Sequence, residues 1–191
     1  MKNIIINEIK KSIEVKNKIL ISDVIVNQIE YLSQEIIRVL KEGGKVIFCG
    51  NGGSFADSQH LAAEFISRLR IDRSSLPAIA LGTNSSNITA ISNDYGYENI
   101  FSRELSAIGN PIDILIPIST SGNSENIINV IEYANQNSIK VFGLTGNTGG
   151  KMGKKCQVIK VPSEMTEKIQ ECHIMIGHII CYITEKTLFN N

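Results

Sequence analysis

Five short apolar runs, alternating with stretches of helical spacing, constrain this chain more than any other feature. The runs cover residues 45–49, 78–81, 113–118, 140–144 and 157–161. A short apolar run bounded by glycine or polar turn residues reads as a strand buried on both faces. Between the runs lie a helix starting near Ser54, one or two helices between Ser85 and Ile108, and a helix from about Ser124 to Gln136. Parallel strands need a crossover, and helical crossovers cover both faces of the sheet they join. The predicted fold class is therefore α/β, a three-layer αβα sandwich around a five-stranded parallel sheet.

The two ends read differently. Residues 2–42 predict two helices split near Ile21, Ser22 and Asp23, with Ser22 or Asp23 capping the second and Gly43 and Gly44 following its end. Ile29, Leu32, Ile36, Val39 and Leu40 form its clearest stripe. A last helix is expected from about Glu164 to Leu188. It is apolar nearly all round at Ile174, Met175, Ile176, Ile179, Ile180 and Ile183, more than one sheet face covers, so burial against another subunit is expected. The organisation read here is an N-terminal helical extension over residues 1–42 and one ligand-binding domain over 43–191, forming a single compact unit.

Composition excludes several classes. Nineteen basic and nineteen acidic residues cancel, which leaves no electrostatic footprint for nucleic acid and no polybasic membrane anchor. The first twenty residues are interrupted by Lys and Glu, unlike a secretory signal, and the apolar stretch 174–183 is too short to cross a bilayer. Cys49, Cys156, Cys172 and Cys181 show no CxxC spacing and read as reduced core thiols. A soluble, cytoplasmic protein is expected.

Two loops carry the chemistry. Residues 50–68, GNGGSFADSQHLAAEFISR, pass from the first strand through adjacent glycines into a helix, where unpaired N–H groups favour anionic or hydroxyl-rich ligands. His60 and Glu64 stand four residues apart and share one face of that helix. The second loop, STSGNS from Ser119 to Ser124, follows the third strand and opens the next helix. Four hydroxyls in six residues exceed what capping needs and point to a phosphate site.

These loops, with LTGNTGGKM at residues 144–152, resemble the SIS family of phosphosugar-binding domains. Adding the His60 and Glu64 pair, AISNDYG around Asn93 and Asp94, and KIQECHIMIGH at residues 168–178, the chain resembles the phosphoheptose isomerases within that family. The resemblance implies a flavodoxin-like sheet, a homotetramer with active sites at subunit interfaces, and zinc. It implies conversion of D-sedoheptulose 7-phosphate into D-glycero-D-manno-heptose 7-phosphate, supplying heptose for lipopolysaccharide or capsule. Substrate contacts are implied at Asn51, Gly52, Gly53, Glu64, Asn93, Asp94, Ser119, Thr120, Ser121, Ser124 and Gln170. Arg68, one turn beyond Glu64, is a further expected contact. Metal-binding or catalytic groups are implied at His60, Glu64, Gln170 and His178. Phe55, Glu167 and Lys168 depart from the family's common pattern.

Moving a carbonyl from C2 to C1 of a sugar phosphate needs a base for the carbon-bound proton and a group that shuttles the proton on oxygen. Glu64 is the expected base and His178 its partner, whose ordinary pKa lies near neutrality. Zinc held by His60, Glu64, Gln170 and His178 would polarise the carbonyl. Gln170 and His178 lie eight residues apart, about 12 Å along a straight helix, so a composite site with one group from a neighbouring subunit is expected. His173, on a different face, reads as structural. The rival readings are a non-catalytic SIS module that binds a replication initiator and a sugar-phosphate-sensing regulator.

Overall fold

The computed structural model describes residues 1–189, so Asn190 and Asn191, which the expected 43–191 domain includes, lie outside the described residues. Two helices of 19 residues each, α1 (Lys2–Leu20) and α2 (Asp23–Lys41), precede β1 (Val46–Gly50). Ser22 separates them in an extended conformation and its hydroxyl accepts the Ile25 amide, the capping expected of it. The chain continues through α3 (Gly53–Ile66), β2 (Ala78–Ala80), α4 (Ser85–Tyr95), α5 (Ile100–Ile108), β3 (Ile114–Ser119), α6 (Glu125–Gln136), β4 (Lys140–Gly146), β5 (Gln157–Val161) and α7 (Thr166–Phe189).

All five strands are parallel, in the order β2-β1-β3-β4-β5, the flavodoxin-like arrangement. Successive side chains of each strand feed opposite cores. Val46, Phe48, Ile114 and Ile116 pack with α2, α3 and α7, while Ile47, Cys49 and Leu115 pack with α5 and α6. This two-sided burial is why the strands read as continuous apolar runs. From β1 the chain crosses outward to β2, and β3 then returns to β1's other side, so the order reverses between β1 and β3. A crevice opens at such a switch point, outside the carboxyl ends of the strands. Both loops singled out in the sequence leave β1 and β3 at that crevice.

The apolar surplus differs from expectation. On α7, Ile176 and Ile180 are buried within the chain, Ile174, Met175 and Ile183 are half-buried, and Ile179 is exposed. The larger uncovered face is on α1, where Ile4, Ile5, Ile9 and Ile13 are all more than half exposed. Alpha-helix α7 is better covered because α1, α2 and α3 all pack on it. Cys49, Cys172 and Cys181 are buried and Cys156 half-buried, and all four are free thiols. No helix among the described residues is long and apolar enough to cross a membrane.

Candidate active site

The mouth of the site is built where β1 and β3 end. Gly52 takes φ +55° at the start of α3, a backbone conformation that side chains disfavour, and no side chain caps that helix. Asn51 is fixed by a reciprocal amide pair with the buried Asn126 of α6, at 2.8 and 2.9 Å, and its oxygen also accepts the Tyr97 hydroxyl at 3.1 Å. The Tyr97 contact ties the segment after α4 to this loop, while Asn93 and Asp94 bond to each other at 2.8 Å on the exposed last turn of α4. The Asn51 side chain is thus committed to the scaffold, which leaves its backbone and the glycine amides to face a ligand.

The STSGNS loop folds on itself. Ser119, buried, accepts the Gly122 amide at 3.1 Å, and Ser121 accepts the Asn123 amide at 3.2 Å. Ser124 begins α6 without a side-chain cap bond, so its hydroxyl is not used as capping would use it. A cavity of about 250 Å³ lies against this loop, lined by Thr120, Ser121, Asn123, Asn147, Thr148 and Ser163. Hydroxyls and amides at the start of α6 make it a donor-rich cradle for an anion. Glu164 also lines it.

Two turns along α3 the character changes. His60 Nε2 lies 3.0 Å from Glu64 Oε1 and 3.2 Å from His178 Nε2, which α7 brings in from the opposite side. The two imidazoles meet edge to face with centroids 5.0 Å apart. One ligand atom from each of the three residues lies within 4.8 Å of the others. Burial, then the neighbouring His60, pushes His178 below its ordinary pKa against the opposing pull of Glu64, which favours the neutral imidazole and its nitrogen lone pair. Two imidazole nitrogens and one carboxylate oxygen converging in this way form the donor set that suits zinc.

The remaining predicted residues fall elsewhere. Gln170 leans its carboxamide on Gly53, where a Cβ on that glycine would overlap it. It therefore sits at the mouth, about 12 Å along α7 from His178. Arg68 is not one helical turn beyond Glu64. α3 ends at Ile66, Ser67 breaks the helix, and Arg68 stands in the following loop, exposed and 3.4 Å from Asp72. His173 is fully buried, with Nε2 3.2 Å from the Thr145 carbonyl, as a structural residue would be. Asp57, one turn before His60, was not anticipated. Burial pushes its carboxyl up to about 6, against the opposing pull of His60, and its Oδ2 has no hydrogen-bond partner among the described residues.

Comparison with known proteins agrees with this geometry. Residues 16–146 match the model of the SIS domain. The chain is 52% identical to the phosphoheptose isomerase of Clostridium acetobutylicum, over 99% of this chain and 97% of that protein. It is 50% identical to the phosphoheptose isomerase of Aneurinibacillus thermoaerophilus, over 100% and 97%. The structure of phosphoheptose isomerase GmhA from Neisseria gonorrhoeae superposes with a TM-score of 0.90 at 35% identity, covering 97% of this chain and 98% of that one. The switch-point crevice, the hydroxyl-lined loop and these full-length matches lead to one conclusion: the chain belongs to the SIS domain family.

Proposed function

We propose that this protein is an aldose–ketose isomerase that converts D-sedoheptulose 7-phosphate into D-glycero-D-manno-heptose 7-phosphate for heptose biosynthesis. The observation that carries this reading is the meeting of Glu64 with two imidazoles on the helix that opens from the glycine loop after β1, beside the β3 strand whose end carries the hydroxyl-rich loop. Relatives about half identical over the full chain are phosphoheptose isomerases, which supports the seven-carbon substrate.

In this reading the phosphate sits among Ser119, Thr120, Ser121 and Ser124, and the glycine loop, Asn93, Asp94 and Gln170 orient the linear sugar. Glu64 takes the proton from C1, the electron pair moves into a C1–C2 double bond, and the same carboxyl returns the proton at C2. His178 carries the accompanying proton from one oxygen to the other. His60, Glu64 and His178 fit a zinc ion by their mutual reach and chemistry. Zinc bound there supplies Lewis-acid polarisation of the sugar's carbonyl oxygen.

Within one chain Gln170 lies near the start of α7 and His178 at its middle, about 12 Å further along the helix, which supports a composite site shared between subunits of a homotetramer. The exposed isoleucines of α1 support the same assembly, as does an apolar cleft of about 610 Å³ between α1, α2 and α7, lined in part by Leu20, Val26, Met175 and Ile179. A cytoplasmic location, and lipopolysaccharide or capsule as the destination of the heptose, complete the reading. Incubation with sedoheptulose 7-phosphate tests it, with the aldose product followed by proton NMR; formation of the aldoheptose supports the reading and its absence rejects it.

A further inference from the structure

Glu64 is on α3 and His178 on α7, so the alignment of these helices sets the reach between them. α3 stops at Ile66, and its last carbonyls have no partners within the helix. Arg73, from the loop that follows, supplies two of them, and the Leu76 amide is a second donor to the Phe65 carbonyl. Its Nη2 donates to the Glu64 carbonyl at 2.8 Å and its Nη1 to the Phe65 carbonyl at 2.6 Å, with the Ser67 and Ser74 carbonyls at 3.3 and 3.1 Å. The Arg73 Nε meets Glu185 Oε1 of α7 at 3.1 Å, and the two side chains are 1% and 0% exposed. The same carboxylate accepts the Leu69 amide at 2.8 Å and the Arg70 amide at 3.0 Å. Glu185 follows His178 by seven residues, two turns of one helix, so clamp and imidazole share a face about 10 Å apart.

A buried ion pair is a weak source of stability, because desolvation offsets most of its attraction. Its distinctive property is geometric. A planar fork that satisfies the carbonyls closing α3, tied to one carboxylate on α7, admits a single register between the helices. We propose, on the basis of the isomerase reading above, that Arg73 and Glu185 are positioning residues that hold the end of α3 against α7 and set the separation of Glu64 and His178. Neither touches substrate. The pair acts on the proton-transfer end and leaves the phosphate cradle alone.

The test uses the full chain with Glu185→Gln, Arg73→Lys and Arg73→Met. Glu185→Gln is expected to keep the elution volume and cooperative unfolding of the parent while lowering kcat on sedoheptulose 7-phosphate about tenfold or more, with KM within about threefold. Zn²⁺ alone, titrated calorimetrically into chelator-treated protein, is expected to bind about tenfold more weakly. Arg73→Lys recovers part of both losses relative to Arg73→Met. Folded variants with parental kcat and Zn²⁺ affinity, or with a change in KM only, overturn the proposal. Where substitution prevents folding, hydrogen exchange in the unsubstituted protein decides: Leu69 and Arg70 amides as protected as the interior of α3 support the clamp, and rapid exchange overturns it. A parent protein without heptose phosphate turnover, but whose Zn²⁺ affinity falls in Glu185→Gln, rejects the substrate reading and keeps the clamp.

Discussion

His178 Nε2 lies 3.2 Å from His60 Nε2, although 118 residues separate them in the chain. Two ring nitrogens at this distance cannot both carry a proton toward each other, so at least one presents a lone pair. Glu64, 3.0 Å from the same His60 nitrogen, completes a cluster in which a proton or a divalent cation is the natural occupant. In the proposed reaction Glu64→Gln and His178→Ala each lower kcat by about 10²–10⁴ with unfolding temperatures near that of the parent. Near-parental turnover in a steady-state assay removes that residue from the mechanism.

The spacing of α3 and α7 depends on Gly177, which sits against Leu61. A Cβ there would overlap the Leu61 side chain inside the core. Gly177→Ala is therefore expected to destabilise the protein by about 1–3 kcal/mol, the range for overpacking, and to lower kcat by displacing His178. Urea denaturation and steady-state kinetics on one preparation check both effects.

Asp57 offers a test by pH. Burial raises its carboxyl from 3.8 to about 6, with His60 opposing. The folded chain thus holds that proton more tightly than the unfolded chain, so the ionised carboxylate costs stability in full above pH 6, and the cost fades as pH falls from 6 to 4. Allowing for solvent screening on its open side, Asp57→Asn is expected to gain about 1–2 kcal/mol at pH 7.5 and nothing at pH 4. Denaturant midpoints at the two pH values read this directly.

His173 has the opposite consequence. Burial lowers its pKa from 6.5 to about 4, against the bond to the Thr145 carbonyl. The unfolded chain takes up this proton first on acidification, so the stability present above pH 6.5 is lost as pH falls toward 4, by about 3 kcal/mol in total. His173→Gln, which has an amide able to reach the same carbonyl, is expected to flatten this acid limb in urea titrations between pH 7 and 5.

The fold was largely legible because each strand is buried on both faces. Val46 to Cys49 alternate between two apolar cores and leave no polar gap in the sequence. The ends were less legible: β4 continues through Thr145 and Gly146, where backbone pairing with Ser119 and Val161 persists after the apolar pattern stops. At the site, helical spacing placed His60 and Glu64 together, and resemblance to a family named His178. The break at Ser67 that removes Arg68 from α3 has no local signal strong enough to announce it. The Asn51 and Asn126 pair and the Arg73 and Glu185 clamp join residues 75 and 112 positions apart. Such partners are chosen by tertiary packing, and no periodicity records them.

The central claim is that Glu64 and the two imidazoles, at the far end of a phosphate-binding crevice, transfer a proton within a seven-carbon sugar phosphate. Its most direct measurement is solvent-hydrogen exchange at C1 of sedoheptulose 7-phosphate in D₂O, followed by NMR for the parent protein and for Glu64→Gln, with and without chelator and added Zn²⁺. The account predicts deuterium incorporation and aldoheptose formation by the parent, weakened by chelation and restored by Zn²⁺, and neither with Glu64→Gln. Equal exchange by parent and Glu64→Gln, or no exchange by the parent with Zn²⁺ supplied, would contradict it.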